Sequence, residues 1–342
     1  MTTRERCMNI LHYKDTDRIP AVHFGYWREL LDEWAQQGHI TPEMAKAAVR
    51  DNSPEQRELD KIIGWDCNWY NTVGTNNGLS PRFKREVLET FPDGTQRVLT
   101  PNGVIERIKP GVVSIPSEDD YLLKDREAFE TLFKPKMQYS PERVNTEALK
   151  KFNETRATDI PIGIHVGSVM GNIRDITTVM GMSYLIYDED EELFAEIVDT
   201  YAEMQYKCVE AALATGAQFD FGHYWEDICF KNGPIVSVDF FRDIVAPRYK
   251  RINEKLKKHG IDIWYIDCDG DVRPILPYFL ESGVNCLFPY EVAGCAHPAE
   301  LLNEYGKDLR IMGGFDKLQM IKGKDAIKRY MDSIAPLVER GG

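Results

Sequence analysis

The sequence predicts an α/β fold, a (β/α)8 TIM barrel made by a single domain over residues 1–342. Three observations predict it. From residue 160 onward, short apolar runs alternate with amphipathic helical segments, the pattern of parallel strands covered by helices. The helix-to-strand joints His259-Gly260, Ser282-Gly283 and Tyr305-Gly306 place glycine where a helix ends in the left-handed conformation. The length, 342 residues, suits one large barrel. An open doubly wound sheet is the competing architecture, but no GxGxxG follows the first apolar run, which weakens its dinucleotide-binding form.

The elements run in order from the N-terminus. Residues 1–60 form a largely helical segment: a short helix over 2–13, a break at Asp17-Arg18-Ile19-Pro20, a first strand within 19–25, and helices over 27–37 and 41–49. Strand two and its loop fall in 62–70. The stretch near 85–116 differs from the rest. Its alternating runs at 85–90, 97–100 and 104–108 are separated by Pro92-Asp93-Gly94 and Pro101-Asn102-Gly103, and Asp-Gly and Asn-Gly tolerate the positive φ of hairpin turns. This reads as a β-hairpin insertion roofing the barrel. Strands three to seven come at 160–166, 217–222, 261–267, 284–288 and 309–312. Seven strands are counted and the chain stops at Gly342, so the eighth strand reads as missing at the C-terminus.

Composition excludes several classes. A formal net charge of −13 opposes nucleic acid, whose phosphates an acidic surface repels. No run of about 18 apolar residues occurs, and the polar first residues do not resemble a signal peptide, so a cytoplasmic protein without membrane spans is expected. Seven cysteines, an odd number without a CxxC pair, are not a disulfide framework and fit a reducing compartment.

In such a barrel the chemistry collects at the C-terminal ends of the strands. Those ends carry His23; Asp66 and Asn68; His165; His223, Trp225, Glu226 and Asp227; Asp267, Cys268 and Asp269; and Glu291. Glu226, Asp227, Glu291 and Asp269 are the expected catalytic acids, because paired carboxylates at strand ends serve proton transfer. His23, Tyr26, Asp66, Asn68, His165 and Trp225 are expected to contact substrate. Thiolate, imidazole and carboxylate together favour zinc, with Cys268, His223 and Asp267 as candidate ligands and Glu226, Asp269 or Glu291 as alternatives to the latter two. His23 and His165 equally fit hydrogen-bonded core histidines, and Asp269-Gly270-Asp271 equally fits a plain turn.

The same segments resemble the uroporphyrinogen decarboxylase superfamily. Trp225-Glu226-Asp227 through Lys231-Asn232-Gly233-Pro234-Ile235-Val236-Ser237, then Phe241 and Pro247-Arg248-Tyr249, resembles one family segment. Gly167-Ser168 resembles the turn after strand three, and Gly313-Gly314-Phe315-Asp316-Lys317 a late glycine segment. Tyr265-Ile266-Asp267-Cys268 takes the strand-five position. The resemblance covers the chain from about residue 60 and implies a uroporphyrinogen-decarboxylase-type TIM barrel. The arginine-rich N-terminal motif of true decarboxylases is replaced by Val22-His23-Phe24-Gly25-Tyr26-Trp27. The resemblance therefore implies the corrinoid-dependent methyltransferase branch. It implies a small methylated donor of aryl methyl ether or methylamine type, a cobalamin-carrying partner protein, a thiol or folate acceptor, and a monomer or homodimer. In that branch some members bind zinc through an HxC pattern; Cys268 matches its cysteine, while Ile266 stands at its histidine. The alternatives are a decarboxylase and a non-catalytic partner of a corrinoid protein.

Overall fold

The computed structural model describes residues 1–111 and 116–342; of the insertion expected near 85–116, residues 112–115 lie outside the described residues. The strands are β1 (Val22–His23), β2 (Cys67–Asn68), β3 (Thr72–Gly74), β4 (Glu86–Thr90), β5 (Gln96–Leu99), β6 (Val104–Ile108) and β7 (Ser117–Tyr121). They continue with β8 (Gly163–Gly167), β9 (Phe221–Trp225), β10 (Cys229–Phe230), β11 (Gly233–Pro234), β12 (Trp264–Asp267), β13 (Cys286–Tyr290) and β14 (Arg310–Gly313).

The scaffold is a six-stranded sheet in the order β14-β13-β12-β9-β8-β3. Every pairing in it is parallel. β1 and β2 form a separate parallel pair, and β3 follows β2 after only Trp69, Tyr70 and Asn71. Long helices such as Glu191–Leu213 and Ala246–Lys257 separate the sheet strands, as parallel connections require. The strand–helix alternation expected from residue 160 onward is therefore observed.

The strand boundaries move relative to the sequence expectation. The apolar pair Ile62 and Ile63 ends the helix Pro54–Ile63, which Gly64 closes at φ 98°, so strand two begins later than residue 62. Strands four, six and seven extend or shift toward the C-terminus, which puts His223 inside β9. Hydropathy marks apolar residues, but helix ends and buried strands share them, and local capping decides between the two.

Two cores result from the sheet's two faces. On one face, Trp69, Phe221, Tyr265, Phe288 and Cys286 pack together with Cys7 and Leu11 of the helix Thr3–Leu11, which plugs this side. Trp69 stacks on Phe221 at 4.8 Å. Gly163 makes room for this stack, since a Cβ there would lie 2.0 Å from the Phe221 ring. The opposite face packs against the helices, with Ile164, Val166, Tyr224 and Ile266 in a larger cluster. Among the described residues β14 and β1 are not paired. Between them lies an apolar cleft of about 210 Å³ whose walls include Ile10, Leu11, Val22, Ile311, Met312 and Leu337. The Gly342 N–H donates to Ile10 O at 3.1 Å, and Gly342 O accepts from Ile311 N–H at 3.3 Å.

The insertion is a four-stranded antiparallel meander, β4-β5-β6-β7. The turn signals locate its first two hairpins. Its fourth strand, Ser117–Tyr121, has no counterpart in the sequence expectation, because Ser-Glu-Asp-Asp-Tyr carries no apolar alternation. Arg97 and Arg107 hold it through Asp119.

Phe221→Ala removes the ring against which Trp69 and Tyr265 pack. It should cost about 3–5 kcal/mol in urea unfolding; a loss under about 1 kcal/mol would show that the face is not packed around this ring.

Candidate functional site

Alternation along β9 and β12 sorts the strand-end residues onto opposite faces. Phe221 and His223 share the face of Tyr265, with His223 stacked on the Tyr265 ring at 4.4 Å. Tyr224 points the other way and donates its hydroxyl to Asn253 Oδ1 at 2.6 Å. Glu226 continues that second face.

Glu226 is fully buried. It accepts hydrogen bonds from the Ser168 hydroxyl at 2.9 Å and from the N–H groups of Val169 (2.6 Å), Met170 (2.8 Å) and Gly171 (2.8 Å). These are the free donors at the start of the helix Gly171–Tyr184, so the carboxylate caps that helix from another strand. Burial pushes its carboxyl above the usual range, against the nearby Tyr249 hydroxyl and the hydrogen bonds from these N–H groups. The placement corrects the expectation of a catalytic acid: both side-chain oxygens are engaged, and neither faces open space. Glu226→Ala should cost at least about 3 kcal/mol in urea unfolding, because it strands buried donors. A near-neutral result would remove the clamp.

Cys268 is also turned away from the inner face. Its thiol accepts from Ile228 N–H at 3.4 Å and lies against Cys229. Asp267 and His223 lie on the inner face, so the three expected zinc ligands do not converge. Among the described residues no group of three or more His, Cys, Asp or Glu is arranged to hold a metal ion. The donor set does not fit zinc as expected from the sequence.

Four of the expected substrate contacts serve structure. His23 Nε2 lies 2.9 Å from Asp60 Oδ1, and the Tyr26 hydroxyl donates to the same oxygen at 2.9 Å. Asp66 binds Arg18 and Arg6 and accepts from Ala21 N–H. Burial would raise its carboxyl, yet the bonds from Arg18 and Ala21 hold it below its ordinary range. Asn68 donates to Asp51 and Gln56. These residues tie β1 and β2 to the N-terminal helices. A short polar residue at a strand end reads the same from sequence whether it faces substrate or a neighbouring helix.

What the fold does gather at the C-terminal ends of β9, β12 and β13 is a different set. The Tyr70 hydroxyl donates to Asp267. Phe24, Tyr70 and Phe288 meet edge to face at 5.4–6.0 Å beside them. His165 Nδ1 and His223 Nδ1 share one hydrogen bond at 3.0 Å, so one ring donates and the other accepts. Burial lowers the His165 imidazole to about 4 and pushes His223 well below its ordinary value, so both rings are neutral at pH 7. His223 Nε2 is buried without a partner.

Acids crowd the rim. Burial, then the charge of Asp269, raises Asp267 to about 7. Burial, Glu291 and Asp227 raise Asp269 to about 6, and one of its oxygens is buried and unbonded. Glu291 pairs with Lys317. Asp227, at φ 49°, pairs with Arg174 at 3.0 Å, and the Arg174 guanidinium lies over the Trp225 ring at 5.1 Å. Asp227, Asp269, Glu291, Trp225, His165, His223 and Asp267 therefore share one region, which Tyr70, Phe24, Phe288, Arg174 and Lys317, absent from the sequence expectation, join. Tyr70 and Phe24 each adjoin a strand end and could have been found there; Arg174 and Lys317 sit on later segments that only the fold brings back.

The raised Asp267 carboxyl ties stability to pH with a definite sign. The folded state binds its proton more tightly than the unfolded chain, so this group's contribution favours folding at low pH. That contribution is lost as pH rises from about 3.8 to about 7. Urea midpoints across that window should fall for the native protein relative to Asp267→Asn; parallel curves would refute the raised carboxyl.

A sequence model of the family described as uroporphyrinogen decarboxylase (URO-D) matches residues 107–338. No curated protein matches the chain by sequence. Among solved structures, one described as a methyltransferase from Methanosarcina mazei aligns with a TM-score of 0.52 at 16% identity, over 92% of this chain and 82% of that one. At that identity the likeness speaks for the fold. With more than half of its length matched by the family model, the chain belongs to the uroporphyrinogen decarboxylase family.

Proposed function

We propose that this family member is a methyltransferase. It would move a methyl group between a small methylated compound, an aryl methyl ether or methylamine, and a corrinoid carried by a partner protein, with a thiol or folate as the further acceptor. The observation that carries the reading is Asp267: an acid near neutrality, on the inner face, bonded by Tyr70 and bordered by aromatic rings. In a (β/α)8 barrel such a group, at the end of β12, would lie at the mouth.

The corrinoid would supply the cobalt centre that accepts the methyl group. This chain's residues do the rest. Asp267 gives its proton to the heteroatom as the carbon–heteroatom bond breaks, and Tyr70 holds the carboxyl in place. Phe24, Tyr70 and Phe288 present an apolar wall to the methylated compound, and Phe24, half exposed, offers a surface for the partner. Asp269, held near 6, shares the proton load. No step passes through zinc. Seven free cysteines fit a reducing, cytoplasmic setting, and no described helix is long and apolar enough to cross a membrane. A homodimer is compatible with the proposal, which needs only one mouth.

The decarboxylase reading requires free cations for substrate carboxylates. The rim cations Arg174 and Lys317 are already paired with Asp227 and Glu291, which favours methyl transfer. A non-catalytic partner would not need an acid poised near neutrality.

Asp267→Asn should lower methyl transfer to a corrinoid protein by about 10²–10⁴-fold, measured by the cobalt absorbance change. Cys268→Ser should leave both the rate and the metal content unchanged. Full activity in Asp267→Asn would sink the assignment of the acid; a metal lost in Cys268→Ser would restore zinc.

A further inference from the structure

A second cavity, of about 400 Å³, lies beside the mouth and shares none of its residues. Its walls come from the loop after β3, the helix Gly171–Tyr184, the helix Glu191–Leu213 and the β5–β6 turn of the meander. Four asparagines line it: Asn76, Asn77, Asn102 and Asn172. That size is in the range of small-molecule sites.

The loop is held in place. Arg143, nearly fully buried, donates to the carbonyls of Asn76 and Gly78 at 2.7 Å each. Asn77 is seated against Gly167, where any Cβ would lie 2.6 Å from its amide nitrogen. Gly167 has φ +107°, so glycine serves both the backbone and the contact. With all this order, the Asn77 side-chain nitrogen is buried and has no acceptor. A buried donor without a partner calls for an acceptor, which a small turn of the Asn77 side chain toward the cavity would meet.

The charges point the same way. Arg82 lines the cavity and folds its guanidinium toward Gly78, within 3.7 Å of where a Cβ would sit. It forms no ion pair among the described residues, in a protein with a net charge of −13. Arg143 bonds carbonyls rather than a carboxylate, so its charge is also unbalanced. Burial raises the Tyr201 hydroxyl in the cavity wall; the charges of Arg143 and Arg82 work against that rise and that of Asp175 adds to it. The acid on the wall, Asp175, is answered by Arg174 at 3.2 Å, and burial pushes its carboxyl up.

We propose that this cavity binds a small hydrophilic carboxylate, its charge on Arg82 and its remaining polar groups on Asn77 and the neighbouring asparagines. Arginine presents a planar pair of donors that suits a carboxylate, and amide side chains complement hydroxyl or amide groups on the ligand. The meander contributes Asn102, so it completes a binding site of its own beside the mouth. The site stands whether or not the chain transfers methyl groups.

Calorimetric titration of the full chain with L-malate, D-glycerate and N-acetyl-L-glutamine tests it. At least one should bind, its neutral methyl ester should not, and Arg82→Gln should weaken it by about tenfold or more. Arg82 is exposed and unpaired, so this variant folds as the native protein does. Asn77→Ala should weaken the same ligand, and Asp267→Asn should leave it unchanged. No binding by any of the three, equal binding of the ester, equal binding by Arg82→Gln, or saturation by inorganic phosphate in place of the carboxylates would overturn the proposal.

Discussion

Successive residues of a strand face opposite sides, and in this protein that constraint divides chemistry from structure. On β9, His223 faces inward beside Tyr265, while Tyr224 and then Glu226 face the helices. At the end of β12, Asp267 meets Tyr70, and the next residue, Cys268, turns to Ile228 and Cys229. The inner face thereby receives the acid and the neutral imidazoles. The outer face receives the clamp that holds the helix Gly171–Tyr184 to the strand beside it.

That clamp matters to the mouth through the residues on either side of Glu226. It sits between Trp225 and Asp227, and Arg174 comes from the helix whose start Glu226 caps. Fixing the helix start fixes the distance at which Arg174 reaches both neighbours. A buried carboxylate taking three N–H donors and a hydroxyl is costly to desolvate and strongly directional once bonded, which suits it to set register between elements. Asp175, on the same helix, carries this alignment into the second cavity.

Charge in this protein is distributed against its average. The chain is acidic overall, and the rim concentrates acids until burial and neighbouring carboxylates raise Asp267 to about 7 and Asp269 to about 6. Elsewhere, the loop after β3 carries Arg82 and is bonded by Arg143, and neither forms an ion pair among the described residues. An acid-rich region and a cavity lined by Arg82 thus lie near one another, one built on strand ends and the other on the insertion and its neighbours.

The sequence by itself determined the strand–helix alternation, the hairpin turns at Asp93-Gly94 and Asn102-Gly103, and the collection of acids at the ends of strands five and six. These depend on residues close in the chain: apolar spacing, glycine at helix ends, and turn chemistry. The partners of each acid were decided only by the tertiary structure. Glu226 and Asp269 look alike in the chain, yet one is enclosed by three N–H groups 55 to 57 residues away and the other keeps an unbonded oxygen at the rim. Local patterns specify backbone form, because they act within a few residues. Solvation and long-range hydrogen bonds decide whether a carboxylate is a cap or an acid, and those exist only once distant segments have met.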